Sequence, residues 1–290
     1  MKYIELPGSA KPVSRLIFGT SIGLMSNGGN ADELLDAVWA EGVNTFDTAR
    51  VYGESERVMG QWVKSRRIRD KVNIITKGCH HDEKGSRATP EELVKDVDAS
   101  LKCLGTDYID IYLLHRDDMS RPVEPMIDAL NELRRQGKIL RFGASNWTHG
   151  RIAEANSYAA ASGQEGFSLS SPGFSAVKRI FDPWGGSVDI SDDIAAQEWY
   201  AENGLPVLAY SALARGYLSG KTVPPEYDCP ENAQRLKALE LEAEQKGITV
   251  AQAAILWLLC RKMCVCPIIS PTKLNHIRSA AAVFEWSDTI

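Results

Sequence analysis

Asp47, Tyr52, Lys77 and His115 are four titratable side chains whose types fit one kind of chemistry. A phenol ionises with a pKa of about 10, so unaided it is a weak acid at neutral pH. A lysine ammonium beside it favours the phenolate and lowers that value. A carboxylate paired with the lysine keeps the ammonium charged and fixed. A histidine near the phenol can hydrogen-bond the same substrate oxygen. Together they would make a proton donor, its tuner, the tuner's anchor and a polariser. Singly, each has a plainer reading. Asp47 could cap a helix, Lys77 could be a solvated charge, His115 a satisfied core histidine and Tyr52 a packing residue. What joins them is position, because each stands at the end of a strand-like run or just after one.

Those runs recur through the chain, and each is followed by an amphipathic helix. Strands are expected at Ser14–Gly19, Val43–Thr48, Val72–Thr76, Tyr108–Leu114, Leu140–Ser145, Phe167–Ser170, Pro206–Tyr210 and Val265–Ile269. Helices are expected at Ala31–Glu41, Glu54–Lys64, Pro125–Gln136, Gly150–Ala161, Asp192–Asn203, Glu231–Lys246, Thr249–Arg261 and Lys273–Val283. One further helix has a marked start, with Thr89 as N-cap, Pro90 behind it and Glu92 completing a capping box. Leu93, Val97, Leu101 and Leu104 line one face of it, and Gly105 stops it. Lys178–Ser191 is rich in Gly, Pro and aromatics and reads as an inserted loop. Eight strand–helix pairs predict an α/β chain closed as a single (β/α)8 barrel over residues 1–290. The open doubly wound sheet is the rival, but Gly19-Thr20-Ser21-Ile22-Gly23 after the first strand lacks its glycine fingerprint. Tyr3–Leu6 and Lys11–Ser14 could pair as an N-terminal β-hairpin beneath the barrel.

Composition narrows the function. The 290 residues are 44% hydrophobic and 24% charged, with a net charge of −5, ordinary for a globular protein. No Lys/Arg run exceeds two residues, so no nucleic-acid partner is expected. No apolar stretch has the length of a signal peptide or a membrane span, so a cytoplasmic protein without a membrane partner is expected. Six cysteines without framework spacing read as reduced thiols, with Cys264 and Cys266 on one face of a strand. His80 and His81 follow Lys77, but no third ligand joins them, so no metal is expected.

The ordered motifs carry a family resemblance. Val43-Asn44-Thr45-Phe46-Asp47-Thr48-Ala49 with Tyr52-Gly53 and Ser55-Glu56 resembles the signature of the aldo-keto reductases. So do Ile75-Thr76-Lys77, Leu113-Leu114-His115, Phe142-Gly143-Ala144-Ser145-Asn146 and Tyr210-Ser211-Ala212-Leu213-Ala214-Arg215-Gly216. The resemblance spans roughly residues 14 to 285. It implies a nicotinamide-dependent oxidoreductase that interconverts aldehydes or ketones and alcohols without a metal. Tyr52 would be the general acid, Lys77 would lower its pKa, Asp47 would anchor Lys77, and His115 would orient the carbonyl.

The same resemblance assigns the cofactor. Ser145 and Asn146 would hold the nicotinamide carboxamide, with Ser171 standing where the family often has glutamine. Tyr210 would stack on the nicotinamide, while Ser211, Leu213 and Arg215 would follow the pyrophosphate. Ser270, Thr272, Lys273 and His276 would hold the adenosine end, and Lys273 at a helix start favours NADP(H) over NAD(H). Ser279 and Ala280 stand where a Glu-Asn pair often meets adenine. Arg116, Asp117 and Asp118 could face the pocket or cap the next element, and Trp147 and Trp184 are candidate cleft residues. Two other functions stay open at this point. One is a cofactor-binding regulatory or interaction subunit with slow turnover. The other is a barrel isomerase or aldolase forming a Schiff base at Lys77.

Overall fold

The computed structural model describes residues 1–6 and 11–286. Among these described residues ten strands run in chain order: β1 Tyr3–Ile4, β2 Val13–Ser14, β3 Ile17–Gly19, β4 Thr45–Asp47, β5 Asn73–Gly78, β6 Ile109–Leu114, β7 Ile139–Ser145, β8 Ser170–Ser171, β9 Val207–Ala209 and β10 Val265–Ile269. The helices are α1 Gly23–Ser26, α2 Asp32–Ala40, α3 Ser55–Arg66, α4 Pro90–Leu104, α5 Glu124–Arg135, α6 His149–Ala161, α7 Ile194–Glu202, α8 Pro230–Lys246, α9 Val250–Leu259 and α10 Leu274–Ala281. Strands β3 to β10 pair in parallel as a closed barrel, with β10 returning to β3. This is the (β/α)8 architecture, with β1 and β2 forming a separate antiparallel hairpin.

The strands are short and buried on both faces, as parallel strands under helices must be. Ile17, Ile75, Ile111, Leu113, Leu208 and Cys266 fill the barrel interior, and Leu6 and Val13 from the hairpin region pack beneath them. On the outer face of the barrel, Phe46 of β4 packs on Trp62 with ring centroids 5.2 Å apart, and Trp62 donates its indole N–H to Asp36. The ladder is uneven. β6 and β7 are in register from Ile109 to Leu114, whereas β8 meets β9 at Ser170 and Val207, with one further bridge beyond them between Gly173 and Tyr210.

Several expectations need correction. The sixth barrel strand lies at Ser170–Ser171, not Phe167–Ser170: Phe167 turns its ring against Trp147 and Phe142 instead. Thr89 does accept from the Glu92 N–H, but the Glu92 carboxylate is drawn to Arg87 and Lys95, so the box is half made. A complete capping box stands instead at Thr249 and Gln252, opening α9. The closing helix begins one residue later than expected, with Lys273 as its N-cap, and ends in a tighter turn over Ala282–Glu285. Short α1 had no clear periodic signal. Cys264 precedes β10 rather than lying within it.

No helix among the described residues is long and apolar enough to cross a membrane.

Candidate active site

A cavity of about 950 Å³ opens at the carboxyl ends of the barrel strands, near the upper end of ligand-site volumes of roughly 300–1,000 Å³. At its deep end Asp47 leaves β4 and Lys77 lies within β5, on neighbouring strands in register. Lys77 Nζ donates to Asp47 Oδ1 at 2.5 Å and to the Thr48 carbonyl at 3.0 Å. Tyr52 comes from the loop after β4, with its ring centroid 5.2 Å from Lys77 Nζ. His115, just beyond β6, faces Tyr52 edge-on with ring centroids 6.0 Å apart. The four side chains therefore meet at one spot on the cavity wall.

Gly53 shapes the loop that delivers Tyr52. Its φ is +59°, and a Cβ there would stand 2.4 Å from the Ser26 carbonyl oxygen. Only glycine fits both the left-handed backbone and the close approach.

Burial dominates the electrostatics. It raises the Asp47 carboxyl above its usual range, against the pull of Lys77. Burial also works to lower Lys77, but Asp47 and Tyr52 outweigh it, so the ammonium is held charged. Tyr52 is pushed above 10 by burial, although Lys77 pulls the other way. The expected direction of the lysine's influence holds, but it does not win. His115 falls well below 6.5 because it is buried, with Lys77 and Arg116 adding repulsion, so its imidazole is neutral at pH 7. Its Nδ1 is buried without a partner.

The middle of the cavity is lined by Ser145, Asn146, Tyr210, Ser211, Leu213 and Arg215. Asn146 is fully engaged. Its amide N–H groups reach the His115 carbonyl and Ser145 Oγ, each at 3.1 Å. Its Oδ1 accepts from the Tyr210 hydroxyl at 2.7 Å and the Val188 N–H at 3.2 Å. Ser211, Ala214, Arg215 and Gly216 all have positive φ. Such changes of backbone hand turn amides into a concave anion cradle. Arg215 is ion-paired with buried Glu226.

At the far end Ser270, His276, Ser279 and Ala280 line the wall, but Thr272 and Lys273 are exposed and outside it. Ser171 is also outside: its hydroxyl donates to the Leu208 carbonyl at 2.9 Å, leaving nothing directed at the cavity. Trp147 is buried against Phe167 rather than lining the cleft. Asp117 pairs with Arg151, and Asp118 with Arg121, while Arg116 and Trp184 do line the cavity. His80 lines it too, 4.8 Å from the His115 ring. Among the described residues no three His, Cys, Asp or Glu side chains are grouped to hold a metal ion.

Sequence reasoning missed Lys221 and the α9 start at Thr249–Gln252, which also form cavity wall. The Thr249–Gln252 capping box was a legible signal for the second. Lys221 carried none, since its place depends on the turns at Gly216 and Gly220.

A sequence profile of the aldo/keto reductase family matches residues 15–288. The chain belongs to this family. It is therefore an oxidoreductase of a group whose members use nicotinamide cofactors. Among curated proteins it is 28% identical over 274 residues to the aldo-keto reductase str7 of Strobilurus tenacellus, covering 89% of this chain and 77% of that protein. The aldo-keto reductase ausK of Emericella nidulans is 30% identical over 287 residues, covering 90% and 69%. Norsolorinic acid reductase B of Dothistroma septosporum is 28% identical over 279 residues, covering 88% and 68%. Among solved structures, the thermostable aldo-keto reductase Tm1743, in complex with the inhibitor epalrestat, superposes with a TM-score of 0.77. That match is 27% identical and covers 98% of this chain and 94% of the other.

Proposed function

We propose that this aldo/keto reductase reduces aldehydes or ketones to alcohols, or runs the reverse, with Tyr52 as the general acid. The observation that carries the reading is the buried Asp47–Lys77 ion pair lying beneath the Tyr52 ring on the cavity wall. A charged ammonium there stabilises the phenolate that forms when Tyr52 gives its proton to the carbonyl oxygen. Neutral His115 orients that oxygen without competing for the proton, because its depressed pKa keeps it uncharged. Lys77 holds its proton in the ion pair, which argues against a Schiff base at its amine.

The cavity suits a nicotinamide dinucleotide in size, and the concave backbone at Ser211–Gly216 suits its pyrophosphate. The cofactor, when bound, supplies the hydride. Ser145 and Asn146 hold its carboxamide, Asn146 giving up its bonds to Val188 and Tyr210 to do so. Tyr210 supports the ring, Ser211, Leu213, Arg215 and Lys221 attend the phosphates, and Ser270 and His276 attend the adenosine. Ser171 drops out of this set, since its hydroxyl is committed to Leu208. The preference for NADP(H) rests on His276 at the wall and Lys273 at the α10 N-cap, with Thr272 beside it. Substrate and cofactor are the only partners the reading needs.

The test is cofactor oxidation over a panel of aldehydes and ketones. Turnover that is lost in Tyr52→Phe supports the assignment. Cofactor binding without turnover on any carbonyl would favour a slow regulatory subunit instead.

A further inference from the structure

Arg116 is the next residue after His115 and lines the same cavity, yet neither the catalytic set nor the cofactor set uses it. It is 8% exposed. Its Nη1 donates to the His115 carbonyl at 2.9 Å, but its Nε–H is buried with no acceptor. No carboxylate among the described residues forms an ion pair with it. Tyr210 and then Asp182 act on its charge from a distance, and the Asp182 oxygens already accept from Ser187 and the Trp184 N–H. A second guanidinium, Arg179, stacks near Trp184 and repels Arg116 rather than neutralising it. Arg179 also has a buried Nη1 without a partner.

A buried cation without a counter-charge is costly, and a site that keeps one gains by receiving an anion. A guanidinium also favours carboxylate and phosphate geometry over neutral groups. The surroundings limit where that anion can come from. Lys77 and Asp47 neutralise each other next door, and His115 is uncharged, so Arg116 holds the unmatched charge at the substrate end. The Gly185–Gly186 turn passes over the Arg116 stem, where a Cβ on Gly186 would be 3.8 Å from Arg116 Cδ. Both glycines have positive φ, so the loop crosses the arginine without a side chain to cover it.

We infer that Arg116 is a specificity residue that binds an anionic group on the substrate, so the preferred substrates are carbonyl compounds carrying a carboxylate or similar anion a short spacer from the reacting carbonyl. This rests on the carbonyl-reductase reading and deepens it. Binding energy gained at the anion, away from the reacting carbon, positions the carbonyl oxygen between Tyr52 and His115.

The experiment compares kcat/KM for matched pairs, 4-formylbenzoate against its methyl ester and 4-oxobutanoate against its methyl ester. In the wild-type enzyme each acid should exceed its ester by about 10–100-fold, the range expected for a hydrogen bond to a charged group. In Arg116→Gln the acid/ester ratio should collapse to within about threefold of one, and Arg116→Lys should restore part of it. The wild-type comparison stands even if a variant does not fold. Esters turned over as well as acids would overturn the inference and leave the reductase reading intact. An acid preference that survives in folded Arg116→Gln would also overturn it. Turnover of neither acid nor ester, nor of any simple aldehyde, would instead remove the reading beneath it.

Discussion

The backbone carbonyl of His115 accepts a hydrogen bond from the side chain of Asn146 at 3.1 Å, tying the end of β6 to the end of β7. The residue proposed to orient the substrate and the residue proposed to hold the nicotinamide are thus joined across one strand gap. Arg116 donates to the same oxygen. A shift at any of the three is felt by the other two, which is how a packed site keeps two ligands in register.

Tyr52→Phe removes the transferable proton and keeps the ring. Carbonyl reduction should fall by about 10²–10⁴-fold, the usual worth of a general acid. The dissociation constant of the cofactor, read by quenching of tryptophan fluorescence, should stay within about threefold. Retention of a tenth or more of wild-type activity would assign the acid elsewhere.

Lys77→Met tests the tuning. Alcohol oxidation needs Tyr52 as phenolate, so its rate should climb with pH towards a phenol pKa that burial already holds above 10. Lys77 lowers that pKa, so removing the cation moves the basic limb upward, by about one to three pH units for an opposite charge at this range. The check is the pH profile of oxidation from pH 7 to 10.5. Superimposable limbs for variant and wild type would mean that Lys77 does not act on Tyr52.

The adenosine end can be tested by titrating NADPH and NADH separately. Trp184 lines the cavity with its ring 6.2 Å from that of Tyr210, so its fluorescence should report binding. NADPH should bind tighter, and Lys273→Ala should weaken NADPH by about tenfold while leaving NADH unchanged, as loss of a charge-assisted bond to a phosphate would. A tighter constant for NADH, or equal losses for both cofactors, would break the assignment.

Gly53→Ala probes the loop that presents Tyr52. The new Cβ meets the Ser26 carbonyl at 2.4 Å in a left-handed backbone, so the loop must move. A strained position of this kind costs about 1–3 kcal/mol, readable as a lower urea midpoint. Misplacing the acid by about 1 Å should also cost near 10²-fold in kcat. If kcat holds while stability falls, the loop relaxes without carrying Tyr52 along.

Much of the site was legible because the barrel converts strand ends into neighbours. Asp47, Lys77 and His115 are far apart in sequence, but their strands are adjacent in the ladder, so strand position sufficed to bring them together. Strand counting failed where the strand itself is minimal. β8 has two residues, and a one-step difference in its placement decides whether Ser171 meets the cavity or the Leu208 carbonyl. Charge balance was also hidden. That Arg116 lacks a counter-ion while Asp117 has Arg151 depends on three-dimensional pairing that residue types cannot give. Lys273 is legible as a helix start, but its exposed place beside the cavity wall rather than on it comes from three-dimensional packing.

The uneven ladder has a mechanical meaning. Where β6 and β7 pair over most of their length, backbone amides are locked and should exchange with solvent only on global unfolding. Between β8 and β9 one strand pair is followed by one bridge, Gly173 to Tyr210, so this seam has fewer matched pairs than β6–β7 and opens more readily than that one. Ser145 and Asn146 stand on one side of that seam, and Tyr210 to Arg215 on the other. A dinucleotide gripped by both sides works as a stitch across the weak joint. Protease resistance would then rise with cofactor concentration and keep rising past saturation, because the stabilisation grows as the logarithm of one plus the concentration over Kd.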